Sequence, residues 1–177
     1  MPPCSPILLG LTLALAAQVP AAESAAIAPA TVPLAAGTLS ITAPAAADVG
    51  VATPGATLQV RFTAVQVTDG RGLAPAVWTA SVTTNHFTDP QNSSRRINRN
   101  AASYWSGPAT ATTGVGTFTP GQLTRAQQVN LATTRTAFKL TGGQGNTTAR
   151  WSPTLVVKIP ADALSGRYVG VISHSVV

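Results

Sequence analysis

The sequence predicts an all-β fold, an antiparallel β-sandwich of about eight strands in a single domain. Three observations predict it. Short runs of alternating apolar and polar residues recur between Gly, Pro, Asn and Asp punctuation. After residue 26 no segment of ten or more residues carries a helical period. The 15 Gly and 14 Pro among 177 residues supply turns at the density that many short strands need. Hydrophobic residues make up 45% of the chain, which is enough for a core.

The elements follow in chain order. Residues 7–17 (ILLGLTLALAA) form an apolar run too short for a bilayer, which needs about 20 residues. The run suits the hydrophobic region of a secretory signal. Val19-Pro20-Ala21 and Ser24-Ala25-Ala26 after it fit small-residue cleavage sites. Residues 1–26 are therefore read as a cleaved signal peptide, residues 27–36 as an Ala/Pro-rich flexible segment, and residues 37–177 as the domain. Cleavage removes Cys4 and Glu23, leaving no thiol and four Asp against eleven Lys and Arg. A domain without disulfides must hold together through its core, and about 150 residues suffice for that. The missing cysteines also suit a bacterial exported protein better than a small secreted eukaryotic domain.

In the domain, Leu39 and Ile41 share one face. Residues 57–68 read as one long strand whose parity changes near Thr63-Ala64, the mark of a bulge. Trp78, Ala80 and Val82 alternate with Thr79, Ser81 and Thr83. Short strands are expected at 102–105, 116–119, 129–131 and 136–140. Two long strands, 150–159 and 167–177, close the chain. In the last, Tyr168, Gly170, Ile172, His174 and Val176 share a face. The Gly-rich stretches Gly114-Val115-Gly116 and Gly142-Gly143-Gln144-Gly145-Asn146 read as turns, since no helix follows to make a phosphate site.

Asp69-Gly70-Arg71-Gly72, followed by Val77-Trp78-Thr79-Ala80-Ser81-Val82, resembles the first half of the WxL cell-wall-associated domain of Gram-positive bacteria. The final hairpin, residues 151–160 and 166–172, is similar to its C-terminal half. The family's two Trp-x-Leu signatures fall on Trp78-Thr79-Ala80 and His174-Ser175-Val176, so Ala80, His174 and Val176 depart from the pattern. The resemblance implies an Ig-like, WxL-like β-sandwich that is secreted and binds cell-wall material without a covalent anchor.

Charged residues are only 9% of the chain, against roughly 25% in ordinary soluble proteins. Two His, five carboxylates and one Cys leave few groups for acid–base chemistry, so no enzyme, catalytic residue or cofactor is expected. His86 and His174 have no Cys or second His nearby in sequence, so no metal site is expected either. Arg95, Arg96 and Arg99 form the one charge cluster, placed on a loop free of carboxylates from residue 90 to residue 100. The cluster has two readings: a solvated loop, or a site for phosphate-bearing wall polymers, which guanidinium forks bind well. Tyr104 and Trp105 are adjacent and must point to opposite faces of a strand, so one of them is a candidate sugar-stacking surface. Trp78 and Trp151 are assigned to the core. The partners expected are peptidoglycan or an anionic wall glycopolymer, together with other surface proteins. Neither nucleic acid nor a membrane span in the mature chain is expected. A second function class stays open: an assembly subunit that packs through its sheet edges and Thr-rich faces.

Export is checked by N-terminal sequencing of protein from a culture supernatant. The first residue should fall between Ala22 and Ile27; an intact Met1 on cytosolic protein would refute the signal assignment.

Overall fold

Alternation in the sequence becomes strand after strand in the structure, a computed structural model that describes residue 35 and residues 37–177. The expected signal peptide, and all but Ala35 of the segment at 27–36, lie outside the described residues. The strands are β1 (Leu39–Thr42), β2 (Thr57–Arg61), β3 (Val65–Asp69), β4 (Ala76–Thr84), β5 (Phe87–Asp89), β6 (Asn92–Ile97), β7 (Ala102–Trp105), β8 (Ala109–Pro120), β9 (Val129–Asn130), β10 (Arg135–Trp151), β11 (Thr154–Lys158) and β12 (Ile172–Val176). Two 3-10 turns, Arg99–Ala101 and Arg125–Gln127, supply the helix among the described residues. The fold is all-β.

Every strand pair is antiparallel. The main sheet runs β1-β3-β10-β4-β12, and β8 also pairs with β10. Its ends, β1 and β12, approach each other, so this sheet is nearly closed and barrel-like. A second sheet runs β2-β11-β7-β9, and β5 and β6 form a separate hairpin.

Two runs read as single strands divide between the sheets. Residues 57–68 break at 62–64, placing β2 in the second sheet and β3 in the main one. Residues 150–159 break at Ser152-Pro153, placing Trp151 in β10 and residues 154–158 in β11. The breaks lie side by side. β2 pairs with β11 and β3 with β10, so one ribbon crosses from sheet to sheet with three residues facing two. The parity change at Thr63-Ala64 marks this corner. Phe62 N–H donates to Pro153 O at 2.8 Å, and the Ser152 hydroxyl donates to Thr63 O at 2.7 Å. Polar backbone freed at the bend is thereby paired within it.

The Gly-rich segment at 142–146 is not a turn. β10 passes through it as a 17-residue strand whose register shifts against both β4 and β8. Gly142 and Gly145 take positive φ (62° and 67°), the left-handed backbone that lets the extra residues bulge out. Gly143 is demanded by packing, since a Cβ there would lie 2.9 Å from the Ala76 Cβ. β8 is likewise longer than expected, taking in Gly114 and Gly116. The expected closing strand at 167–177 is strand only at 172–176, with one isolated bridge between Thr88 and Val169. Its alternation is as read: positions 168, 170, 172, 174 and 176 are half-buried and the odd ones exposed.

Both sheets feed one core. Trp78, Phe138 and Trp151 come from the main sheet; Tyr104, Leu155 and Val157 come from the second. Phe138 stacks on Trp151 at 4.9 Å between ring centroids and lies tilted 6.5 Å from Trp78. At the connection from β3 to β4, Asp69 is buried and receives a two-pronged guanidinium from Arg71 at 2.9 and 2.8 Å. Arg71 also donates to Val77 O at 3.0 Å, pinning the connection to the start of β4. The Arg71 side-chain hydrogen bonds hold the Asp69 carboxyl below its usual range, outweighing the opposing effect of burial.

Trp78 is 1% exposed and Val77 beside it 54% exposed. Trp78→Ala should therefore cost about 3–5 kcal/mol in denaturant unfolding, while Val77→Ala should stay within about 0.5 kcal/mol. A Trp78→Ala loss below about 1 kcal/mol would contradict this packing.

Candidate functional site

The β5–β6 hairpin forms because Asp89 closes its turn, its carboxylate accepting from Gln91 N–H at 2.9 Å. Asn92 repeats the motif by accepting from Ser94 N–H at 3.1 Å. The chain then extends, so Arg95 and Arg96 lie on strand β6, not on a loop. Nor is a carboxylate far away. Arg95 Nη1 sits 3.7 Å from Asp89 Oδ2, and it also donates to Ser165 O at 3.4 Å. Adjacent strand positions split the pair: Arg95 is half-buried and Arg96 exposed. Among the described residues Arg96 makes no ion pair.

The 160–168 connection forms the facing wall. It is held there by the Thr88–Val169 bridge, two backbone hydrogen bonds of 2.9 Å. Gly170 lies against the Phe87 ring so closely that a Cβ would meet it at 2.4 Å. The resulting groove of about 200 Å³ is lined by Ser94, Arg95, Arg96, Asp162, Leu164 and Tyr168 among others. The Tyr168 hydroxyl donates to Leu164 O at 2.9 Å, which fixes the ring at the wall.

The remaining sequence-derived residues lie elsewhere. Arg99 sits in the 3-10 turn after β6, where its backbone N–H donates to His86 Nδ1 at 3.2 Å; it does not line the groove. Trp105 is half-buried on β7, opposite Thr154. Tyr104 is fully buried, so it offers no surface for stacking a sugar; this corrects its candidacy as a ligand contact. The five residues therefore do not form one site. Tyr168 and Asp162, which do join Arg95 and Arg96, were not singled out from sequence. Nothing local marks them, because the bridge that brings them to β6 joins residues 88 and 169.

Trp78 and Ala80 are buried on β4, and His174 and Val176 are half-buried on β12. Those strands pair, with Val176 opposite Ala80 and His174 opposite Val82. His174 turns inward, as its alternation implied. Its Nε2 meets the Tyr104 hydroxyl at 3.4 Å, and the same hydroxyl accepts from Trp151 Nε1–H at 3.3 Å. Which of the two donates follows the imidazole tautomer, and His174 Nδ1 is a buried atom with no partner among the described residues. Burial lowers the His174 pKa to about 4 and raises the Tyr104 hydroxyl well above its ordinary range. The pair is a neutral hydrogen-bonded unit, with Tyr104 buried and His174 half-buried.

The comparisons with known proteins found no matching family model, no matching curated protein and no matching solved structure.

Because His174 resists protonation when folded, the unfolded state binds its proton first as pH falls. Stability should be full above about pH 6.5 and drop on the order of 2–3 kcal/mol by about pH 4. The Asp69–Arg71 pair is lost only at lower pH, as Asp69 stays ionised through this window. Denaturant unfolding across that range checks it. His174→Phe should flatten the slope; an unchanged slope would place the titration elsewhere.

Proposed function

We propose that this chain is an exported, non-catalytic bacterial cell-surface protein that holds anionic wall glycopolymer non-covalently. The observation that carries the reading is the groove in which Arg95 and Arg96 stand beside Tyr168. Guanidinium forks pair with phosphate through two parallel N–H donors, and an aromatic wall suits the C–H face of a sugar. Asp162 at the rim disfavours dense negative charge directly over it. A polymer with spaced phosphates fits this arrangement better than a polyanion such as nucleic acid. Tyr104 is buried in the core and His174 turns inward onto it, which favours a binder over an enzyme.

The architecture is read as a WxL-like, Ig-like sandwich, supported by the core that the two sheets share and by the adjacency of β4 and β12. In that reading His174 occupies the inward place of the second signature Trp. It closes the core through Tyr104, and wall binding passes to the arginine groove.

Cosedimentation with purified cell walls tests the proposal. Arg95→Gln with Arg96→Gln should lower binding about tenfold or more, and so should stripping teichoic acid from the walls. Binding should also weaken with added salt, since exposed charges are screened over about 8 Å at physiological ionic strength. Arg99→Gln should have little effect. Wall binding unchanged by all of these treatments would reduce the groove to a solvated surface.

A further inference from the structure

β8 is held on one side only. Among the described residues its single strand partner is β10, and its outer edge is free along twelve residues. Residues 109–117 are exposed at every position, so both faces of the strand as well as its edge meet solvent. A long open edge of this kind is normally guarded by charge, because its unpaired N–H and C=O groups template pairing with another chain. β8 (ATATTGVGTFTP) carries no charged residue. The shorter β2 and β6 carry Arg61, and Arg95 with Arg96, respectively. Gly114 and Gly116 take positive φ, 84° and 145°. They follow the bulge in β10, where a Cβ on Gly114 would meet Asn146 O at 2.5 Å and one on Gly116 would meet Leu140 Cδ1 at 2.6 Å.

We infer that β8 is a self-association edge, pairing antiparallel with β8 of a second copy across a two-fold axis near Val115. The lack of charge on β8 leaves a second copy free to approach this edge. The chain has a formal net charge of +6, so most approaches between copies bring like charges together. This edge brings none. Its sequence also suits self-pairing. With Val115 opposite itself, Thr113 meets Thr117, Gly114 meets Gly116 and Ala111 meets Thr119. Val115, 61% exposed, would cover its own copy at the axis. Thr–Thr and β-branched pairs are among the favourable cross-strand contacts. A two-fold pairing closes on itself, so the product is a dimer joined by one continuous sheet. This inference is independent of the arginine groove.

Sedimentation of the full chain over a concentration series tests it, with circular dichroism to confirm that each variant is folded. The wild type should pass from monomer to dimer as concentration rises. Thr113→Lys with Thr117→Lys, which sets lysine opposite lysine in the pair, should raise the dimer dissociation constant about tenfold or more. Val115→Cys in a Cys4→Ser background should form a disulfide-linked dimer under mild oxidation. A wild type monomeric up to millimolar concentration overturns the inference, whether the edge is then bare or covered by residues 1–34 of the same chain. A dimer indifferent to the two lysines overturns it equally, as does a Val115→Cys variant that oxidation fails to link.

Discussion

The corner at 62–64 and 152–153 is the constraint on which the rest of the molecule depends. One antiparallel ribbon belongs to both sheets, β2 with β11 on one side of the bend and β3 with β10 on the other. Because the sheets share strands through this bend, their inner faces must converge on whatever stands beside it. Trp151, the last residue before the bend, stands there. It stacks on Phe138 and passes its indole N–H to Tyr104 of the other sheet. The polar chain from Trp151 through Tyr104 to His174 then reaches β12 and ties the closing strand to the same point. Pro153 suits the bend because it needs no hydrogen-bond acceptor there, and its carbonyl is free to receive Phe62 N–H.

Much of this was legible in the sequence where alternation was clean. Trp78, Ala80 and Val82 are buried as their period-2 pattern required, and β7 has the bounds read for it. Tyr104 and Trp105 take opposite faces for the same reason. The failures share a cause. Glycine at 142–146 and at 114–116 reads as a turn because its freedom permits one. In the structure that freedom is spent inside two paired strands, on the bulge in β10 and on the backbone of β8 that follows it. A local window cannot tell the two apart, since the difference lies in a partner thirty residues away. The long runs at 57–68 and 150–159 misled in the opposite way. A strand that changes sheets keeps an extended backbone, and only the changed parity betrays it.

The groove was harder to read than the core. Its cationic half is local: three arginines in five residues are visible at once, although the structure keeps two of them and sends Arg99 elsewhere. Its other half depends on register between residues far apart. Asp89 faces Arg95 because the hairpin folds back, and Tyr168 arrives only through the bridge at Val169. Residue type announces which groups are able to hold an anion. Which of them share a wall is decided by the sheet.

The position of β10 also sets an order of events. Its neighbours β3, β4 and β8 all precede it in the chain, and the earliest begins seventy residues before β10 does. None of them can complete its pairing in the main sheet until residues 135–151 exist. β2 must likewise wait for β11. A chain emerging from the ribosome therefore has no closed sheet until residue 151 is out, and the loops to be closed are long ones. Folding of both sheets is postponed until β10 and β11 have been added.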